Sequence, residues 1–183
     1  MNKKVITLLA ISTLLVSAGC VKSDKKVPVS GEQMKAIVSP LINTEGVTIG
    51  EVSLVQEADG VAIHVEAEDL SPGVHGIHIH ETGICTAPDF KSAGGHFNPT
   101  GKEHGFDNPK GFHLGDLPNI EVNEQGKVSR QLISPKVTLK PGMENSLLKE
   151  GGTAIVIHEK EDDYKTDPAG DSGDRVACAT ITQ

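Results

Sequence analysis

Residues 73–119 read GVHGIHIHETGICTAPDFKSAGGHFNPTGKEHGFDNPKGFHLGDLPN, and their two halves obey different rules. In His75-Gly76-Ile77-His78-Ile79-His80 the pattern alternates strictly. Successive side chains of a strand point to opposite faces, so His78 and His80 share one face while Ile77 and Ile79 take the other. From Glu81 to Leu117 no period survives, and Gly, Pro, Asn and charged residues dominate. A loop of that length inside a compact domain is normally functional, or held by something other than a core. Six histidines lie in this stretch and a seventh, His158, in VIHEKEDD, which leaves His64 alone of the chain's 8 outside them. Histidine is the commonest neutral metal ligand. In a chain with one tyrosine and no tryptophan, such crowding is not a compositional accident.

Short strands surround this stretch. GVTIGEVSLVQ and GVAIHVEAE flank the turn Glu57-Ala58-Asp59-Gly60 and read as a β-hairpin. IEVNEQGKVSRQLIS reads as a second hairpin around Glu124-Gln125-Gly126. GGTAIVIHEK reads as a buried strand, DDYKTDPAGDSGD as a second polar loop, and RVACATIT as a closing strand. With 20 Gly, 10 Pro and no convincing helix, the chain predicts an all-β antiparallel barrel or sandwich.

The first 19 residues read as a targeting segment. Lys3 and Lys4 precede an apolar run, Val5 to Val16, that is too short to span a bilayer comfortably. Ser17-Ala18-Gly19 then leads to Cys20, and the whole resembles a bacterial lipoprotein signal peptide. In such signals the cysteine carries the lipid that ties the protein to a membrane without a spanning helix. Residues 20–44 are polar and lysine-bearing, and read as a flexible tether with room for one short turn or strand near its end. The folded domain is then 45–183. The formal charge is −8, and because the leader holds two lysines and no acid, the remainder is more acidic still. An acidic body argues against nucleic acid as a partner, and an anionic substrate would need a local positive field to approach it.

Two ligand groups emerge from spacing. His96, His104, His113 and Asp116 are separated by 8, 9 and 3 residues, and three imidazoles with one carboxylate make the closed tetrahedral set that zinc favours. Gly111 and Gly115 permit the tight chain path this requires. His78 and His80 on one strand face, with His158 on another strand, offer an all-nitrogen set suited to Cu(II). His96 lies between the groups and can serve both metals, one through each ring nitrogen. His75 reads as a backbone-bonded support for its neighbours, and His64 as an exposed strand residue. With Cys20 assigned to lipid, Cys85 and Cys178 remain as an even pair in an exported protein, so a disulfide is expected. Closing that loop would stabilise the fold by up to about 4.7 kcal/mol and pin the metal-bearing loop to the sheet.

Taken together, GVHGIHIHETGIC, GGHFNP, HG, HLGDLPN, VIHEKEDD and DRVAC, in this order from about Val47 to Ile181, resemble the copper/zinc superoxide dismutase family. The resemblance implies an eight-stranded antiparallel Greek-key β-barrel, of the sandwich class that resembles immunoglobulins, with a long metal-binding loop. It implies copper on His78, His80, His96 and His158, and zinc on His96, His104, His113 and Asp116. It further implies that Asp162 links a copper histidine to a zinc histidine, and that Arg175 guides the superoxide anion while His96 handles a proton. One departure is Asp174, which precedes Arg175 where the family usually has a small residue. Another is the loop from Asp162 to Asp174, which holds Lys165 as its one base. A contrasting reading, a non-enzymatic copper- and zinc-binding protein outside the cytoplasm, would be marked by a missing copper histidine, and none is missing. The sequence leaves oligomeric state open, with a homodimer among the options.

Overall fold

The computed structural model describes residues 36–183, so the signal segment, Cys20 and most of the tether lie outside the described residues. Nine strands follow in chain order: β1 (Ile37–Asn43), β2 (Thr48–Glu57), β3 (Gly60–Ala67), β4 (Gly73–His75), β5 (Ile77–His80), β6 (Ile120–Val122), β7 (Val128–Ser134), β8 (Thr153–His158) and β9 (Arg175–Ile181). All pairings between them are antiparallel. Seven strands form one sheet in the order β5-β8-β9-β1-β2-β3-β7, and β4 pairs with β6. β4 runs into β5 through Gly76, and a tight turn joins β6 to β7, so chain continuity links the small pair to both edges of the large sheet. Counting β4 and β5 as one strand interrupted at Gly76 gives the expected eight. The interruption has a local cause: Gly76 donates to Lys160 O at 2.7 Å and accepts from His158 N at 2.8 Å, bonds that leave the β4 ladder.

The first hairpin forms as expected, with Glu57 opposite Gly60. The second does not form as a ladder. Asn123 N donates to Lys127 O, so the turn exists, but β6 pairs with β4 and β7 with β3. Alternation cannot tell a strand which neighbour it will meet. β1 lies at the end of the span 20–44, where the sequence left room for one short strand, and it is part of the sheet, with Leu41 fully buried. Pro40 within it cannot donate to a ladder. Within β1 only Ile42 and Asn43 pair with β9, and the Ser39 hydroxyl donates to Thr180 O at 2.6 Å farther along. A side chain thus supplies a link to β9 beside a residue that has no N–H.

β5 and β8 are buried on both faces, which places the site. Inward, Ile77, Ile79, Ile155 and Ile157 join Leu54, Ile63 and Val65 in the main core; each such side chain contributes about 1.5–3 kcal/mol through removal from water. On the other face Ala154 and Val156 pack with Phe90, Ala93 and Cys178 in a second cluster, against Cys85 and Ala87. Cys85 and Cys178 are joined as a disulfide with Cα atoms 5.7 Å apart, which staples the start of the long loop onto β9. Disulfides persist in oxidising compartments, so the domain is extracytoplasmic.

Candidate metal centre

His78 and His80 stand on the outward face of β5, and His158 ends β8 beside Arg175 of β9. The long loop returns along the free edge of β5: Ile79 N donates to Gly115 O, Phe97 N to Ile79 O and Glu81 N to Gly95 O, all at 2.8–2.9 Å. This approach demands glycine at 115, where a Cβ would sit 2.2 Å from Ile79 O. The loop thereby delivers His96, His104, His113 and Asp116 to the histidine face, and every one of these side chains is buried.

Two four-residue groups result, His78, His80, His96 and His158 in one, and His96, His104, His113 and Asp116 in the other. In each the ligand atoms lie within 4.8 Å of one another. Outer partners fix which nitrogen faces inward. His80 Nδ1–H donates to Gly94 O (3.0 Å), His158 Nδ1–H to Gly173 O (3.3 Å) and His78 Nε2–H to Asp162 Oδ2 (2.7 Å). The free lone pairs are therefore His80 Nε2, His158 Nε2 and His78 Nδ1, as outer-shell bonding of metal-binding histidines requires. His80 Nε2 and His158 Nε2 face one another at 3.4 Å. His78 Nδ1 and His96 Nε2 are buried with no hydrogen-bond partner. Buried polar atoms without partners are rare, and two aimed at one point fit a cation at that point.

In the second group Asp116 Oδ1 lies 3.0 Å from His96 Nδ1, 3.0 Å from His104 Nδ1 and 3.2 Å from His113 Nδ1, while the His96 and His113 Nδ1 atoms are 3.3 Å apart. A tetrahedral zinc with bonds near 2.0–2.1 Å has ligand–ligand edges of about 3.3 Å, so the cage matches that ion. Gly105 N and His113 N donate to Asp116 Oδ2, which turns Oδ1 inward. Asp162 joins the groups, taking His78 on Oδ2 and His104 Nε2–H on Oδ1 at 2.9 Å.

Electrostatics agree with this division. Burial holds His80 well below its ordinary value, helped by His96 and Arg175. Burial likewise lowers His96 to about 3 against the opposing pull of Asp116, and lowers His158 to about 3 with His78 adding to it. These imidazoles stay neutral, as donors to a metal must. His104 differs: burial would lower it, but hydrogen bonds and charge from Asp116 and Asp162 prevail and raise it to about 9. Burial would raise Asp116, yet bonds from His104, His113 and His96 hold it far below the carboxylate range. The two carboxylates thus give this cage a negative potential that favours positive charge, as a metal cation would supply.

The remaining predicted residues fall nearby. Half-buried Arg175 donates through Nη1 to Phe90 O (2.8 Å) and through Nη2 to Gly94 O (2.7 Å). His75 places Nδ1 2.7 Å from His158 O and Nε2 2.8 Å from Ser71 O. His64 lies on β3 with its side chain 41% exposed. Sequence reasoning missed Asn119, which receives Asp162 N on Oδ1 and donates from Nδ2 to Asp162 O, and Tyr164, whose hydroxyl accepts Asn119 N–H at 2.7 Å. Position in HLGDLPN and being the single tyrosine were the available signals.

An antiparallel β-barrel carrying two adjoining four-ligand cages joined by one imidazole defines a class of two-metal proteins. Residues 48–181 match the family described as copper/zinc superoxide dismutase (SODC), and the chain belongs to that family, whose metals are copper and zinc. It is 49% identical over 180 residues to superoxide dismutase [Cu-Zn] 2 of Aquifex aeolicus, covering 98% of this chain and 99% of that one. Superoxide dismutase-like protein YojM of Bacillus subtilis is 42% identical over 186 residues, with 96% and 95% covered. Among solved structures, a SOD-like protein from Bacillus subtilis superposes with TM-score 0.77 at 46% identity, covering 79% of this chain and 97% of that chain. Cu/Zn superoxide dismutase from Brucella abortus gives 0.65 at 30% identity, with 80% and 99% covered.

Proposed function

We propose that the protein is a superoxide dismutase, an oxidoreductase that converts superoxide to dioxygen and hydrogen peroxide. The observation that carries this reading is His96, which offers Nδ1 to one cage and a buried, unpartnered Nε2 to the other. His78, His80, His96 and His158 would hold copper, since an all-nitrogen set suits Cu(II). His96, His104, His113 and Asp116 would hold zinc. When bound, copper supplies a one-electron Cu(II)/Cu(I) couple and zinc a fixed, redox-silent positive charge.

The chain's own residues do the rest. Arg175 draws the anion and orients it, its guanidinium braced by the Phe90 and Gly94 carbonyls. His96 holds a proton on Nε2 after the first superoxide has given up its electron and left as dioxygen. It returns that proton when the second superoxide is reduced, and solvent supplies the other. Two superoxides and two protons become one dioxygen and one hydrogen peroxide. Asp162 keeps His78 and His104 aligned, and His75 buttresses the end of β8 from behind.

The reading extends to the envelope. Residues 1–19 act as a lipoprotein signal peptide, Cys20 carries the lipid, and the tether reaches β1, placing an antioxidant activity on the outer side of the membrane. Cys20→Ser then releases the protein from the membrane fraction. Light scattering on the purified protein tests whether two copies pair as a homodimer. The deciding experiment is elemental analysis of the soluble domain with a superoxide assay before and after copper removal. Activity should vanish with copper and return with it. Copper and zinc bound without superoxide removal would overturn the reading in favour of an extracytoplasmic metal-binding protein.

A further inference from the structure

Glu81 directly follows His80, and its side chain turns back over the loop that leads to His96. Its Oε1 accepts the Gly95 N–H at 3.0 Å, while its own backbone N–H donates to Gly95 O at 2.9 Å. Gly94 adopts φ 75°, and a Cβ there would lie 2.7 Å from Glu81 Oε1. The glutamate therefore lies flat against the Gly94–Gly95 peptide. The carbonyl of that same peptide unit accepts two other bonds, from His80 Nδ1 at 3.0 Å and from Arg175 Nη2 at 2.7 Å. A trans peptide is rigid and planar, with N–H and C=O pointing in opposite directions. Fixing one end fixes the other. Bonds in such a chain also polarise one another, so a carboxylate on the N–H strengthens the carbonyl as an acceptor.

We infer that Glu81 is a positioning residue that sets the direction of Arg175 and of the ligand ring His80 through the Gly94–Gly95 peptide. It makes no hydrogen bond to either group's side chain. The inference rests on the dismutase reading for the role of Arg175, but its geometry is separable from turnover. Without the carboxylate, the Gly94 carbonyl loses its brace, the guanidinium loses one of its two anchors, and the imidazole loses the bond that fixes its tautomer.

The test uses copper- and zinc-loaded protein and variants that cut the bond from either end. Glu81→Ala removes the acceptor, Glu81→Asp shortens its reach, and Gly95→Pro removes the donor. Glu81→Gln and Gly95→Ala keep an acceptor and a donor. Azide affinity, titrated by the Cu(II) absorption, reads the arginine, and the Cu(II) electron paramagnetic resonance spectrum reads His80. Bond-cutting variants should weaken azide binding by about fivefold, the effect of losing one typical hydrogen bond, and shift the copper hyperfine splitting. Bond-keeping variants should stay within about twofold of the parent. Combining Glu81→Ala with Gly95→Pro should add nothing, because both remove one interaction. Unchanged azide affinity and spectrum in the bond-cutting variants would overturn the inference, including the case where only the thermal midpoint falls. Additive effects in the double variant would overturn it as well. If Glu81→Ala or Gly95→Pro fails to fold, Glu81→Asp against Glu81→Gln decides alone. Parent protein without dismutase activity would defeat the proposed function, while these two readouts would still decide the role of Glu81.

Discussion

A buried imidazole resists a proton, and in this centre only His104, bonded to both Asp116 and Asp162, has enough carboxylate around it to outweigh burial. His96 and His158 sit near 3, and His104 near 9. For the first two the unfolded chain binds protons more readily, so their stability contribution is present above about 6.5 and lost as pH falls toward 3. For His104 the folded state binds the proton better, so its contribution is complete below about 6.5 and lost as pH rises through 9. The thermal midpoint of metal-free protein should therefore peak near neutrality and fall on both sides. Zinc displaces the His104 proton, so the alkaline fall should flatten in zinc-loaded protein; calorimetry across this pH range checks both limbs. His158→Ala offers a second check at this scale. It should keep zinc by elemental analysis and lose at least about 100-fold of the superoxide turnover, since only the all-histidine cage loses a ligand. Residue identity and spacing made the cages legible in the sequence. Glu81 and Asn119 were not legible, because they act on backbone atoms whose positions spacing does not reveal.

Strand β5 and the loop along its edge form the working element. The strand's alternation was readable, as was the need for glycine near 111 and 115. The loop's path was not, since no period marks which carbonyl meets Ile79. Gly115→Ala places a methyl against Ile79 O, and the loop must lift from the strand to admit it. We expect a lower thermal midpoint and at least about tenfold weaker zinc retention against a chelator, as misplaced ligands cost metal affinity. Zinc retention equal to the parent would mean the loop is held by its ligands alone. Strand β1 teaches a related lesson. Its Pro40 has no N–H to give, and the Ser39 hydroxyl supplies a link to β9 in three dimensions, which no window of sequence can display.

The whole molecule carries net charge −8, and its proposed substrate is an anion. Asp89, Glu159 and Asp174 line the same depression as Lys91 and Arg175, and Lys91 is paired with Asp89 at 3.0 Å. Local attraction by Arg175 thus works against a repulsive body. Salt screens the longer-range repulsion more than the contact. The rate constant kcat/KM should rise by up to about twofold between low and physiological ionic strength, and Asp174→Ala should raise the low-salt value by about twofold. Pulse radiolysis at graded salt measures both, and a steep fall with salt would show that attraction dominates. The charge balance and Asp174 were plain from the sequence; that Asp89 and Glu159 also border the arginine was not, because they come from segments far apart in the chain.

One short strand has two masters, since Ile77 and Ile79 feed the interior while His78 and His80 feed the cages. Amino acids there can be exchanged singly and the damage stays local. The spacing cannot change at all. Deleting or inserting one position would swap the roles wholesale, driving imidazoles into oil and isoleucines among ions. Insertions and deletions should therefore be confined to the outlying turns.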